Sequence, residues 1–112
     1  IENQNLFITD RVKDLIIKGG INISPRYIED KLLELDIIKE VAVKSIDDDF
    51  YGENIAAFLV SCDKISFEEQ KKHINDFCIK SLPSNMIPVK YVKLNKMPKT
   101  ITGKIQKHKL TI

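Results

Sequence analysis

The chain has 112 residues, of which 43% are hydrophobic and 30% charged, and its formal net charge is +2. This composition is ordinary for one small globular domain and excludes a disordered chain, which would hold fewer large apolar residues. Because 18 basic residues nearly balance 16 acidic ones and no apolar run approaches the roughly 20 residues of a membrane span, we expect neither nucleic acid nor a membrane span.

The first predicted element is a two-stranded ribbon. Residues 6–9 and 15–18 are β-prone, and the polar stretch 10–14 between them is expected to form the turn. Gly19 and Gly20 follow as a loop, where a positive φ is allowed and no side chain blocks an approaching ligand.

Two helices are predicted from their start signals. Ser24 as N-cap and Pro25 at the first helical position begin the first helix, which is expected to end at Asp36. Ser66 and Glu69 have the spacing of a capping box and begin the second helix. Both segments carry apolar residues at helical spacing, so each helix is expected to bury one face.

Three strands are predicted for the core sheet, at residues 40–46, 54–62 and 89–94. The second of them is almost continuously apolar, as a buried central strand would be. A short helical tail is expected at the end. The order of elements predicts an α+β domain with a small, mostly antiparallel three-stranded core sheet, flanking helices and an N-terminal two-stranded ribbon.

The stretch PKTITGKI holds Lys104 near the end of the chain. Its Thr-Gly-Lys is not a phosphate-binding P-loop, because that motif needs a glycine where Pro98 stands and a serine or threonine where Ile105 stands. From the residues alone, Lys104 and the glycine pair are candidates for contact with an anionic ligand. The alternative is a solvated lysine and a simple tight turn.

The cysteines Cys62 and Cys78 lie among apolar residues and match no metal-ligand spacing. Two free, buried thiols are therefore expected, in a reducing cytoplasm. His73 and His108 stand in polar, lysine-rich surroundings and are expected on the surface. The acidic run 47–49 lacks the spacing of a calcium loop, so no metal site is predicted.

Three motifs cover nearly the whole chain: DRVKDLIIKGGINISPRYIED at 10–30, YGENIAAFLV at 51–60 and MPKTITGKI at 97–105. Together they resemble the adenylate-forming superfamily of acyl- and aryl-CoA synthetases, peptide-synthetase adenylation domains and luciferases. The resemblance is to the small C-terminal domain of that family only, and it is closest to acyl-CoA synthetases. It implies that 1–13 is the end of an N-terminal domain with a hinge linker, and that 14–112 is a mobile C-terminal lid. We therefore interpret the chain as a piece of a longer protein.

The resemblance implies an ATP-dependent acid–thiol ligase. A small carboxylic acid would attack the α-phosphorus of ATP, giving an acyl-adenylate and pyrophosphate, and the thiol of CoA or of a carrier-protein phosphopantetheine would then displace AMP. In this family ATP and Mg are held mainly by the N-terminal domain, which is the implied partner of the lid in the same chain. The fragment alone is therefore expected to be inactive.

Three residues gain roles from the resemblance. Lys104 falls on the catalytic lysine, which contacts ATP and would stabilise the negative charge of the transition state. Arg11 would lie near the nucleotide when the lid is closed. Lys13 falls on the hinge, whose torsions would absorb the swing of the lid between one pose for each half-reaction.

The resemblance also implies a channel for CoA or pantetheine. Gly19, Gly20 and Asn22 fall on the loop that lines this channel in the thioester-forming pose. Two residues depart from the family pattern: Asp10 stands where a glycine is usual, and Tyr27 replaces the glutamate that would complete a reciprocal helix cap. Neither departure removes a residue with an implied chemical role.

Two other functions were weighed. The first is a stand-alone, non-catalytic lid-like module that docks a carrier protein or another partner. The second is a nucleic-acid binder that uses the lysine-rich tail. The acidic residues and the lack of interleaved aromatic residues argue against the second.

Overall fold

The structure is a computed structural model that describes residues 15–62 and 64–111. Arg11, Lys13 and the predicted strand at 6–9 lie outside the described residues. The division of the chain at residue 13 therefore stays a prediction, as do the roles of Arg11 and Lys13.

An antiparallel hairpin opens the described part of the chain. Strand β1 (Ile16–Lys18) pairs with strand β2 (Ile21–Ile23). Gly19 and Gly20 form the two-residue turn with φ values of 58° and 84°, the combination that a type I′ turn requires. A two-stranded N-terminal ribbon is confirmed, but β1 pairs with residues 21–23, which were expected to be a loop. The predicted pairing of 15–18 with 6–9 falls outside the described residues. The predicted turn at 10–14 lies outside the described residues.

Helix α1 (Pro25–Leu32) begins as predicted, with Ser24 Oγ accepting a hydrogen bond of 3.2 Å from the Tyr27 amide. It ends at Leu32, one turn before the predicted end at Asp36. The amides of Glu34 and Leu35 donate to carbonyls three residues back, so the chain tightens after α1 and turns toward the sheet.

Helix α2 (Phe67–Ser81) begins at the predicted N-cap Ser66, but the Glu69 carboxylate contacts the Ser66 hydroxyl instead of the Ser66 amide, so only one half of the capping box forms among the described residues. The Glu69 amide donates to Ser66 Oγ at 3.2 Å, and the Ser66 hydroxyl donates to Glu69 Oε1 at 3.3 Å. The helix also buries Gln70, whose side chain accepts from the Ser61 hydroxyl at 2.6 Å and donates to two backbone carbonyls. This buried polar residue was not anticipated.

The core sheet has the order β3 (Ile38–Asp48), β4 (Gly52–Ser61), β5 (Lys90–Lys93). Strands β3 and β4 are antiparallel over their whole length, and the short β5 runs parallel to β4 after the α2 crossover. The predicted α+β class and mostly antiparallel sheet are confirmed. Strand β3 is longer than the predicted 40–46, and β5 is shorter than the predicted 89–94.

Both faces of the sheet are covered, because alternate side chains of each strand point to opposite sides. The helix-side core joins one face to the β1–β2 hairpin and both helices, and contains Ile16, Ile23, Ile28, Leu32, Ile38, Val41, Val43, Ile55, Ala57, Leu59, Ile74, Cys78 and Leu82. The tail-side core joins the other face to the C-terminal segment, and contains Ala42, Ala56, Phe58, Met97 and Leu110.

The cysteines and the histidines lie in different environments of the fold. Both cysteines are free; Cys78 is buried as predicted, whereas Cys62 at the end of β4 is only half-buried. Burial raises the pKa of the Cys78 thiol, which keeps it protonated at neutral pH. His73 and His108 are exposed, as predicted.

The predicted helical tail is a single 3₁₀ turn, Lys107–Lys109. Within residues 15–62 and 64–111, no helix combines the length and the apolar character needed to cross a bilayer.

Candidate functional site

Lys104 stands at the end of a tight hairpin near the C-terminus, which we call the lysine hairpin (98–106). Lys99 pairs with Ile105 in an antiparallel bridge. The Gly103 amide donates to the Thr100 carbonyl at 2.9 Å, and the Thr100 amide donates to the Lys104 carbonyl at 2.8 Å. Gly103 has a φ of 90°, the left-handed conformation that closes a three-residue loop with a glycine bulge.

The two threonines complete the bonding inside this hairpin. Thr100 Oγ1 accepts from the Lys104 amide at 3.1 Å and lies 2.9 Å from Thr102 Oγ1. The Lys104 side chain itself is exposed. Within the described residues, no hydrogen bond or ion pair involves its ammonium group, so a fixed backbone presents an uncommitted cation to solvent.

The lysine hairpin is attached to the sheet at both ends. Met97 before it and Leu110 after it are buried in the tail-side core. The Lys99 ammonium pairs with the Glu40 carboxylate on β3. The Gln106 amide donates to the carbonyl of residue 98 at 2.8 Å and closes the base of the hairpin.

The turn at Gly19 and Gly20 packs against the turn between β3 and β4. The Gly19 amide donates to the Tyr51 carbonyl at 3.0 Å, and the Lys18 ammonium lies 4.9 Å from the centre of the Tyr51 ring. A Cβ atom on Gly19 would come within 3.2 Å of Tyr51 Cδ1, whereas one on Gly20 would meet nothing within 4 Å. A side chain at position 19 would therefore crowd Tyr51 and strain the backbone, whereas a side chain at position 20 would only strain the backbone.

Asn22 lies on the other face of the same hairpin. It pairs with Ile17 in the β1–β2 register, whereas Lys18 pairs with Ile21. Because neighbouring residues of a strand point to opposite faces, Asn22 and Ile17 face away from the side that holds Lys18. Asn22 is exposed and is not grouped with Tyr51.

An exposed aromatic pair occupies the tip of the β3–β4 turn. Phe50 is 85% exposed, and its ring meets that of Tyr51 edge to face with the centroids 4.7 Å apart. Only the acidic residues of this turn had been candidates for ligand binding, and the aromatic pair was missed. The signal was present as the adjacent letters FY, inside the acidic run DDDFYGE.

Asp48 gives this turn its shape. Its Oδ1 atom accepts from the amides of Phe50 and Tyr51, both at 2.8 Å, and its Oδ2 atom accepts from Asn54 Nδ2 at 3.0 Å. The hydrogen bond from Asn54 and then those from the two amides favour the ionised form, so the pKa of Asp48 is lowered. The carboxylate is thus used in holding the turn.

No metal site is formed by the described part of the chain. Across residues 15–62 and 64–111, no three His, Cys, Asp or Glu side chains are grouped so that they could hold one ion.

The two candidate loops are attached to different faces of the sheet. The glycine turn is carried by Ile16 and Ile23 of the helix-side core, and the lysine hairpin is carried by Met97 and Leu110 of the tail-side core. Among the described residues, no hydrogen bond or ion pair joins the two loops. The glycine turn and the lysine hairpin are therefore two separate surface features of one small domain.

The family model of the AMP-binding enzyme C-terminal domain matches residues 27–104. The chain belongs to this family. Lys104 is the last residue of the matched segment, whereas the glycine turn lies before it. This AMP-binding C-terminal domain is 41% identical over 105 residues to a 2-succinylbenzoate–CoA ligase of Listeria monocytogenes, a match that covers 94% of the chain and 22% of the ligase.

Solved structures give the same result for the fold. A fatty acyl CoA synthetase of Mycobacterium tuberculosis superimposes with a TM-score of 0.80 at 34% identity, over 88% of this domain and 19% of the synthetase. An o-succinylbenzoate CoA synthetase of Bacillus subtilis, solved with its acyl-adenylate intermediate, superimposes with a TM-score of 0.78 at 32% identity. This match covers 89% of the chain and 20% of the synthetase. The chain thus spans about a fifth of the length of the relatives it matches.

Proposed function

We propose that this domain is the mobile C-terminal lid of an AMP-forming acid–thiol ligase. The whole enzyme adenylates a carboxylic acid with ATP, releases pyrophosphate, and transfers the acyl group to a thiol. The observation that carries the proposal is the exposed Lys104 ammonium, which has no partner among the described residues, on a hairpin that is bonded within itself. The matched family and its CoA-ligase relatives support the reaction class.

Lys104 acts in the first half-reaction. The attacking carboxylate and the α-phosphate of ATP are both anionic, so their approach is opposed by charge repulsion. A positioned ammonium reduces this repulsion and stabilises the charge that develops in the transition state. Because the hairpin is ordered by its own hydrogen bonds, little conformational entropy is lost when the amine enters the site.

The glycine turn acts in the second half-reaction, where Gly19, Gly20 and Asn22 line the approach of the thiol. Two backbone positions without side chains leave room for a narrow pantetheine arm. Since the two loops are attached to opposite faces of the sheet, rotation of the lid exchanges the loop that faces the rest of the enzyme. Lys13 is the proposed hinge and Arg11 a proposed nucleotide contact.

CoA is the proposed acceptor in preference to a carrier-protein pantetheine. The relatives of this chain include proteins named as CoA ligases, among them a long-chain-fatty-acid–CoA ligase and a 2-succinylbenzoate–CoA ligase. ATP and the carboxylic acid are bound mainly by the larger domain, and the isolated lid is inactive in this proposal.

The decisive experiment replaces Lys104 by alanine in the full-length enzyme. Adenylation, measured by pyrophosphate exchange, falls by roughly 10² to 10³-fold, because one charge-stabilising donor of the transition state is lost. Thioester formation from supplied acyl-adenylate stays within about twofold of wild type. Lys109→Ala, at an exposed lysine of the neighbouring 3₁₀ turn, is the matched control. An equal loss in both half-reactions contradicts the proposal.

A non-catalytic lid-like module that docks a carrier protein or other partner is the second candidate. The observation that favours it is the exposed pair Phe50 and Tyr51. Under this alternative, Lys104→Ala leaves function unchanged, whereas Phe50→Ala weakens carrier binding measured by calorimetry. The two variants therefore separate the candidates.

A further inference from the structure

An ion pair covers the edge of β3 that faces away from β4. Among the strands of residues 15–62 and 64–111, β3 pairs with β4 alone. The Val43 amide donates to Glu29 Oε2 at 2.8 Å, and the Val43 carbonyl accepts from Lys107 Nζ at 2.9 Å. Lys107 Nζ also lies 2.8 Å from the same Glu29 oxygen. One charged pair thus satisfies both polar groups of Val43 and ties helix α1 to the C-terminal segment.

A second lysine, which lies on β3, also attaches the C-terminal segment to the sheet. Lys44 Nζ donates to the carbonyls of Lys107, at 3.1 Å, and of Leu110, at 2.9 Å. The side chains of Glu29 and Lys107 are only 15% and 32% exposed, so solvent and salt screen their attraction less than that of a surface pair. We call Glu29 and Lys107, with Val43 between them, the edge clamp.

Lys107 of the edge clamp directly follows the lysine hairpin in the sequence. Lys107 follows Gln106, whose amide closes the base of the hairpin on the carbonyl of Pro98. The apolar anchors Met97 and Leu110 hold the same segment on the sheet, but apolar contact is non-directional. A shared carboxylate oxygen and a backbone carbonyl, in contrast, fix both the distance and the direction of the segment.

We propose that Lys107, held by Glu29, is a positioning residue that sets the orientation of the lysine hairpin and hence the point that the Lys104 ammonium reaches. This inference rests on the proposed role of Lys104. Lys107 itself touches neither substrate nor reacting atoms. A displacement of about 1 Å in a group that acts on the reaction lowers the rate by roughly 10²-fold. The clamp therefore contributes to adenylation without taking part in its chemistry.

The test uses the full-length enzyme with Lys107→Met, Lys107→Arg and the control Lys109→Met. Hydrogen–deuterium exchange of peptides covering 98–106 is read against peptides of β4. Lys107→Met speeds exchange of the hairpin by about tenfold and leaves β4 unchanged, since the cores remain. It lowers the kcat of adenylation by about tenfold at nearly constant KM for ATP, and leaves thioester formation from supplied acyl-adenylate within twofold.

Rescue by arginine separates positioning from mere stability. A guanidinium can reach a carboxylate and a carbonyl together, so Lys107→Arg recovers adenylation to within about threefold of wild type, and Lys109→Met behaves as wild type. Unchanged hairpin exchange in Lys107→Met overturns the proposal, as does an equal loss of both half-reactions. If Lys107→Met does not fold, Glu29→Gln removes the charge but keeps an oxygen for the Val43 amide, and the same two readouts decide.

Failure of the proposed function gives a different result. If Lys104→Ala leaves adenylation intact, the role of Lys104 is wrong, and so is the catalytic part of this inference. Hairpin exchange in Lys107→Met still reports whether the clamp orders residues 98–106. Faster exchange with intact adenylation in Lys107→Met, while Lys104→Ala is inactive, overturns the positioning role alone.

Discussion

The glycine turn and the lysine hairpin are both closed by glycine at positive φ, yet they are stabilised differently. The turn at Gly19 and Gly20 takes its outside support from another loop, through the Tyr51 carbonyl and ring. The lysine hairpin is bonded within itself, through Thr100, Gly103 and Lys104. The first presents bare backbone and the second presents one side chain. An exposed backbone without side chains is held in place by contact with a neighbouring loop, whereas an exposed amine is held in place by hydrogen bonds within its own hairpin.

The largest expected effect is on the turn that depends on its neighbour. Gly19→Ala places a Cβ atom 3.2 Å from Tyr51 Cδ1 at a φ of 58°. We expect a loss of about 2–3 kcal/mol in the free energy of unfolding, from strain and displacement of the ring. Thioester formation should fall more than adenylation.

Chemical denaturation and the two half-reactions, measured on the full-length enzyme, check this prediction. Gly20→Ala is the control, because its Cβ atom meets nothing within 4 Å and only the strain of the positive φ remains. Its loss should be about 1 kcal/mol. Equal losses for the two variants would show that contact with Tyr51 does not matter.

The next effect strikes the hairpin that is bonded within itself. Gly103→Ala adds a Cβ atom in open space at a φ of 90°, so only backbone strain of about 1–2 kcal/mol is expected. The strain shifts the turn immediately before Lys104, and adenylation should therefore fall while thioester formation is retained. Rapid-quench assays of each half-reaction measure this, and a greater loss in the thioester step would contradict the assignment of the two loops.

A smaller effect is expected from one hydroxyl of the lysine hairpin. Thr100→Val keeps the shape but removes the acceptor of the Lys104 amide, a bond of 3.1 Å. Stability should fall by about 0.5–1 kcal/mol and adenylation by a few-fold. Thr102→Val is the control, because the Thr102 hydroxyl contacts Thr100 Oγ1 instead of the Lys104 amide. A larger effect of the control on adenylation would refute the assigned role of the Thr100 acceptor.

The smallest expected change is in stability, and it depends on pH. It concerns the β3–β4 turn, which supports the glycine turn. The pKa of Asp48 is lowered in the folded state by Asn54 and two amides, so its stabilising effect is present above the ordinary carboxyl pKa. That effect is lost as the pH falls through the folded-state value. Denaturation midpoints of wild type and Asp48→Ala should therefore differ at neutral pH and converge in strong acid. A constant difference across this range would contradict the role of the charge.

Much of the fold was predictable because its signals are local. Ser24 with Pro25, and Ser66 with Glu69, begin helices where they were expected. The end of α1 was placed one turn too late, because the residues after Leu32 remain compatible with a helix and the chain leaves it to join the sheet. The pairing of β1 with β2 was missed, because residues 15–18 were expected to pair with 6–9, and a tight turn at the two glycines was kept only as an alternative to a ligand loop.

The site was predictable only in part. Lys104 was singled out through a motif, and the structure places its side chain in solvent, while its catalytic role stays a prediction. The exposed Phe50 was missed because acidic neighbours favour a solvated turn. The pairing of Glu29 with Lys107 carries no local signal, since only the edge of β3 brings the two residues together. Contacts that depend on a third element cannot be read from spacing along the chain.

The tail-side core has a consequence for how this domain can fail. The segment that presents Lys104 is also the cover over Phe58, Ala42 and Ala56. A chain cut before Met97 would lose the amine and, at the same time, leave an apolar sheet face bare, which favours aggregation. Proteolysis in this region should therefore remove the protein from solution instead of leaving a soluble lid that competes with intact copies.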